Sequence, residues 1–168
     1  ILYYMRFAIL FFAVLFLSCS IEKPTEFSDL ALQDTGFTLQ DSEITIDSIL
    51  KTYKGKKVLI DVWASWCGDC IKGLPSVKNL QKKYPEVVFL FLSVDTNKAA
   101  WKNGIRRFKI QGEHYNLPKG MKSGDFVDFL NLGWIPRYVV VNENGKITLF
   151  KATRASDSAI EEVLNKSL

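Results

Sequence analysis

Apolar positions fall along this chain in two rhythms. Residues 57–63 and 87–94 are near-continuous apolar runs, Val58-Leu59-Ile60 with Val62 and Trp63 in the first and Val87 to Val94 in the second. Runs of that length predict parallel strands covered on both faces. Between them Leu74, Val77, Leu80 and Tyr84 recur at helical spacing, which predicts a helix over 69–84 joining the strands as a right-handed crossover. Trp101, Ile105 and Phe108 predict a second helix over 97–108, and 125–130 reads as a short one. Tyr138-Val139-Val140-Val141 reads as a further strand, turned by Asn144-Gly145 in a type I′ hairpin. Ile160, Val163, Leu164 and Leu168 give the last helix one apolar face, with Ser158 and Glu161 as its capping box. Upstream, 37–39 and 44–46 flank Asp41-Ser42-Glu43 as a hairpin, and 47–53 reads as a short helix stopped near Gly55. Residues 112–124 show no periodicity and read as irregular.

The N-terminal stretch differs in kind. Met5-Arg6, the apolar run Phe7 to Leu17 and Ser18-Cys19-Ser20 have the layout of a secretory signal, too short and wrongly flanked for a spanning helix. Met5 reads as the start of translation. The break at Ser18-Cys19 is similar to a bacterial lipoprotein box, with Phe16 where Leu is usual. That resemblance implies acylation of Cys19 and a stable lipid tether to the cell envelope. The alternatives are an uncleaved anchor, or plain secretion with an unpaired Cys19. Residues 20–35, with Pro24 and scattered polar side chains, read as a flexible tether, leaving 36–168 as one domain. With three cysteines, the lipid reading leaves two for chemistry and none over.

Charge adds little: the net value is +4. Lys102, Arg106, Arg107 and Lys109 lie opposite the apolar stripe of their helix, the pattern of a solvated face, and no aromatic-basic groove points to nucleic acid. His114, alone in the irregular stretch, reads as an ordinary hydrogen-bonded or exposed histidine.

The chemistry concentrates in Trp63-Ala64-Ser65-Trp66-Cys67-Gly68-Asp69-Cys70, where a strand becomes a helix. There Cys67 sits beside unpaired backbone N–H groups and the positive end of a helix dipole, which favour a thiolate, and Cys70 follows one turn later. Such a pair suits dithiol/disulfide exchange, with Cys67, nearer the helix start and more exposed, as nucleophile and Cys70 as resolving thiol. Two other readings of a bare Cys-x-x-Cys stay open: half a zinc site, for which only Cys19 and His114 remain as further ligands, and a structural staple. A third feature is Asp61, a carboxylate set inside an apolar strand, which is costly without a role or a partner.

Four segments in order make the chain resemble the thioredoxin-like proteins, and within them the membrane-tethered TlpA/ResA-like group. They are Val58 to Cys67, Pro75 five residues after Cys70, Gly133-Trp134-Ile135-Pro136 followed by 138–141, and Asn144-Gly145. The resemblance implies an α/β thioredoxin-like fold, a central mixed sheet flanked by helices, with an added N-terminal hairpin and a helical insertion before the cis-proline strand. It implies that Asp61 accepts the proton of the buried cysteine. It implies that Pro136 is cis, that Trp66, Ile135, Pro136 and Arg137 meet the substrate, and that the insertion shapes partner choice. Two departures bear on the thiolate: Asp69 beside Cys67 opposes it, and Arg137 after the proline favours it. The resulting expectation is an extracytoplasmic, lipid-anchored, monomeric thiol-disulfide oxidoreductase of the bacterial envelope, most often a reductase in this group. It would need no cofactor or metal, bind no nucleic acid, and exchange disulfides with cysteine-containing proteins and a membrane thiol donor; cytochrome c maturation components are partners of such relatives. The alternatives are a redox-inactive thioredoxin-like binding module and a peroxiredoxin-like peroxidase, although Ala64-Ser65-Trp66 stands where the peroxidase motif would be.

Overall fold

The computed structural model describes residues 23–166. Its centre is a seven-stranded sheet that includes β3 (Val58–Trp63), β4 (Val88–Ser93) and β5 (Glu113–Asn116) in parallel, with β6 (Arg137–Val141) and β7 (Ile147–Ala152) antiparallel on the β3 side. The hairpin β1 (Thr35–Phe37) and β2 (Glu43–Thr45) closes the other edge, so the spatial order is β2-β1-β5-β4-β3-β6-β7. β3 pairs with a strand on each side, and all six of its residues are buried. That is why its sequence is an apolar run rather than an alternation.

Helices cover both faces. α1 (Asp29–Gln33) and α2 (Ile46–Thr52) bracket the hairpin, and α3 (Gly68–Lys83) carries the chain from β3 to β4 with Pro75 inside it. α4 (Lys98–Phe108) is started by Asn97, whose side chain accepts from Ala100 N–H at 2.9 Å. α5 (Asp125–Phe129) precedes β6, and α6 (Ser158–Asn165) ends the described chain. On α4, Trp101 is buried while Arg106, Arg107 and Lys109 are exposed, as the amphipathic pattern required. No helix among the described residues is long and apolar enough to cross a membrane.

Several expectations need correction. The stretch 112–124 is not irregular throughout: Glu113–Asn116 is a strand paired with β4. Its buried members are His114 and Asn116, so it lacks an apolar alternation. Asn116 donates to the carbonyls of Ser93 and Asp95, and His114 is stacked on Phe91 with Nε2 at 3.2 Å from Ile110 O. Burial lowers the pKa of His114, which favours its neutral form.

The segment read as a tether is folded over its described part. Ser28 caps α1, Ala31 is fully buried, and Phe27 lies 5.9 Å from Phe126 and 5.5 Å from Phe129, centroid to centroid. Thr25 O accepts from Ile147 N at 2.7 Å, which brings the start of the described chain to the first residue of β7. The 142–146 turn has a positive φ at Gly145 (81°) but not at Asn144. Together with the Gly145 N to Asn142 O bond at 2.9 Å, this indicates a type I turn plus a glycine bulge instead of type I′. The last helix is capped by Asp157, not Ser158. The leader with Cys19, and Leu168, lie outside the described residues.

Candidate active site

β3 ends at Trp63, and the chain crosses Ala64-Ser65-Trp66 to reach the dithiol. Ser65 is held by an acid that the sequence did not single out. Asp95, almost fully buried after β4, accepts from Ser65 N–H at 2.8 Å and from the Ser65 hydroxyl at 2.7 Å, and also from the Ser93 hydroxyl. α4 presses on the same point through Gly104, where an added Cβ would stand 2.7 Å from Ser65 Cβ. The loop before Cys67 is therefore fixed from two sides. The only signal for Asp95 was an acid closing an apolar strand.

Cys67 is the N-cap of α3, and its sulfur accepts from Cys70 N–H at 3.1 Å. The two cysteines form a disulfide with Cα atoms 5.3 Å apart. In this form they are 6% and 4% exposed, so exposure does not separate nucleophile from resolving thiol as expected; position at the helix start does. The Ile135-Pro136 peptide is cis, and Ile135 O lies 3.7 Å from Cys67 Sγ. Trp66 and Trp134 are large apolar side chains left exposed near the dithiol, at 61% and 60%, whereas Trp63 is core. Trp134 entered the sequence reading only as part of the cis-proline segment, because a tryptophan in a loop carries no periodic signal.

Arg137 lines the cleft beside the dithiol together with Pro136, but it is almost wholly buried. It is 2% exposed, pairs in register with Val62, and donates through its guanidinium to Leu130 O at 2.6 Å, with Nε left unpaired. It ties α5 to β6 rather than offering a free cation to a substrate, and desolvation lowers its pKa. Asp69 is half-exposed and 3.7 Å from Lys72, so its effect on Cys67 is screened by water.

Asp61 sits in the middle of β3 at 4% exposure, and its Oδ1 has no hydrogen-bond partner. Burial pushes its pKa up to about 8, against a smaller downward pull from the Tyr138 hydroxyl. Tyr138 stands directly across from it on β6, so the two side chains share a face. A Cβ added at Gly73 of α3, one helical turn beyond Cys70, would stand 3.4 Å from the Tyr138 hydroxyl. A cleft of about 720 Å³ opens beside this helix, lined by Lys72, Gly73, Trp134, Pro136, Lys151 and Arg154 among others. Among the described residues no group of three His, Cys, Asp or Glu is placed to hold a metal ion.

A strand feeding a dithiol at a helix start, a facing cis-proline and an acid buried within that strand together define the thioredoxin class of site. The chain belongs to the thioredoxin-like family, whose model matches residues 55–147. It is 27% identical over 120 residues to the thiol-disulfide oxidoreductase ResA of Bacillus thuringiensis subsp. konkukian, covering 70% of this chain and 66% of that protein. It is 30% identical over 103 residues to the thioredoxin-like protein YneN of Bacillus subtilis, covering 60% and 58%. The chain thus spans between 58% and 66% of the length of these curated relatives. Among solved structures, it superposes with a TM-score of 0.66 on a Bacteroides vulgatus protein assigned to the thiol-disulfide oxidoreductases, at 30% identity over 89% of this chain and 91% of that one. A thiol:disulfide interchange protein from Bacteroides sp. has the same fold, with a TM-score of 0.67 at 24% identity over 87% and 94%.

Proposed function

We propose that this protein is a thiol-disulfide oxidoreductase that reduces disulfides of partner proteins through Cys67 and Cys70. The observation that carries the reading is Asp61: a structural disulfide needs no unpaired buried carboxyl on the strand that feeds it, whereas an exchanging dithiol needs a proton acceptor. In the reduced protein, the Cys67 thiolate attacks one sulfur of a substrate disulfide and the other leaves as a thiolate. Cys70 then gives its proton to Asp61 and attacks Cys67 Sγ, forming the Cys67–Cys70 disulfide and releasing the second substrate sulfur. A thiol donor returns two electrons to restart the cycle.

The surface suits an extended protein segment. Trp66 and Trp134 supply exposed apolar contact near the dithiol, Ile135 turns its carbonyl to Cys67 Sγ, and Lys72, Lys151 and Arg154 make one rim of the cleft cationic, which favours partners with carboxylates near the reacting cysteine. The leader, laid out as a secretory signal ending in Ser18-Cys19, supports an extracytoplasmic site of action with Cys19 acylated; a membrane thiol donor and a monomeric domain complete the reading. Cytochrome c maturation components are candidate partners.

The test is a trapping experiment. Cys70→Ser leaves a nucleophile that captures its partner and cannot release it, so mixed disulfides accumulate in cells and mass spectrometry names them. Cys67→Ser captures little. Equal trapping by both variants, or none above background, would overturn the assignment and leave the redox-inactive binding module.

A further inference from the structure

The cleft beside α3 carries a charge bias that the redox steps do not use. We propose that it recognises an acidic stretch of the partner protein, with Lys151 and Arg154 as specificity-determining residues that meet a carboxylate about two to four residues from the reacting cysteine. The inference rests on the reading of Cys67 and Cys70 as an exchanging dithiol, and adds to it where the partner must carry its charge.

Three observations carry it. First, the charges of the lining are unbalanced. The whole chain has 22 basic and 18 acidic side chains, whereas the cleft has Lys72, Arg137, Lys151 and Arg154 against Asp69 alone. Asp69 is 3.7 Å from Lys72, and among the described residues neither Lys151 nor Arg154 forms an ion pair. Second, the floor holds a cation without a counter-ion. Arg137 donates to the carbonyl of Leu130 and has no carboxylate partner among the described residues. It is too enclosed to touch an occupant, but a charge shut away from water is screened less than a surface one, so its field adds to that of the rim.

Third, the cleft lies where a bound segment has to pass. It begins at Asp69, the residue before Cys70, and follows α3 to Ser76, roughly 10 Å at 1.5 Å per residue. Register sets Ala152 opposite Tyr138, so Lys151, Thr153 and Arg154 flank the end of β6 that follows cis-Pro136. An extended chain advances about 3.3 Å per residue, so a partner whose cysteine meets Cys67 brings its second to fourth neighbour over the cleft. Trp134, 60% exposed, walls the same space, and Ser76 and Thr153 offer hydroxyls to a carboxylate.

The groove lined by Val58 and Val141, at the start of β3, makes the contrast. There Lys51 pairs with Asp47 at 2.6 Å and Lys146 with Glu26, which leaves Lys54 and Lys56 without an ion pair among the described residues. Those two lysines match Lys151 and Arg154 in charge but lie at the far end of β3 from the sulfurs. They separate docking in the cleft from general attraction of acidic peptides.

The experiment uses the full chain in reduced form and peptide disulfides that differ only in an Asp or an Asn three residues from the cysteine, one pair for each side of it. The readout is the ratio of second-order rates for the Asp over the Asn peptide. For one pair the parent should favour Asp about tenfold at about 20 mM salt, and the ratio should fall towards one at about 0.5 M. Lys151→Glu with Arg154→Glu should bring the ratio below one, whereas Lys54→Glu with Lys56→Glu should keep it at the parent value. Melting curves check the fold; if the first double variant does not fold, Lys151→Gln and Arg154→Gln must each lower the ratio. A parent ratio of one for both pairs, or a preference that survives the substitutions at Lys151 and Arg154, overturns the proposal. Competition by free succinate as strong as that of the acidic peptide also overturns it, since the cleft would then be a small-anion site. If neither kind of peptide oxidises the dithiol, the exchange reading itself fails.

Discussion

Two buried carboxylates, Asp34 at the β1 edge and Asp61 at the centre of the sheet, are equally hidden from water and opposite in every other respect. Asp34 is 6% exposed and fully engaged: Oδ1 accepts from Thr35 N–H at 2.9 Å and from the Lys119 ammonium at 2.8 Å, and Oδ2 accepts from Phe126 N–H at 3.0 Å. Burial raises its pKa, but the Lys119 ammonium and the amides of Phe126 and Thr35 outweigh that and hold it below the usual carboxylate range. Asp61, at 4% exposure, has an orphaned oxygen and a pKa of about 8. Burial alone therefore says nothing of a carboxylate's role; the donors around it decide. Surrounded by donors, an acid staples the first described residues to α5. Without them, it is poised to take and give up protons near neutral pH.

The contrast can be broken in four ways. Asp34→Ala should have the largest effect, a loss of about 3 kcal/mol in denaturant unfolding, because it strands the Phe126 amide and uncouples α1 from α5. Turnover per folded molecule should not change. Asp61→Asn should do the reverse, slowing Cys70 deprotonation about 10²-fold in single-turnover assays while leaving the fold intact.

The pH dependence of the melting temperature should split the same way. Asp61 has a raised pKa, so its contribution is fully present below about pH 4 and is lost as pH rises through about 8. Asp34 has a lowered pKa, so its contribution is present above about pH 4 and is lost as pH falls through the folded value. Asp61→Asn should flatten the alkaline limb alone and Asp34→Asn the acid limb alone. The smallest effect belongs to Lys119→Met, under about 1 kcal/mol by thermal unfolding, since the Lys119 side chain is half-exposed.

What could be read from sequence followed from continuity and spacing. β3 and β4 announce themselves because a central parallel strand must be apolar on both faces, and the dithiol because its two thiols sit where β3 gives way to α3. The hairpin emerged two residues early, since Thr35 and Gly36 carry no strand signal. β5 was hidden because His114 and Asn116 bury polar side chains that satisfy backbone carbonyls just after α4 and at the end of β4. Asp34 was taken for part of a polar tether because its partners, Lys119 and Phe126, are more than eighty residues away. The same distance problem hid Tyr138, which looks like any strand aromatic until the register places it opposite Asp61.

The bond from Ile147 N to Thr25 O has a consequence for how the protein presents itself. Ile147 pairs with Val141, and Val141 with Val58, the first residue of β3, while the dithiol follows the last. Six residues of strand, roughly 17 Å, separate the two levels. Thr25 therefore lies at the pole opposite the reacting sulfurs. A chain held from that end would wear its chemistry at the far tip, turned away from its mooring and towards passing traffic.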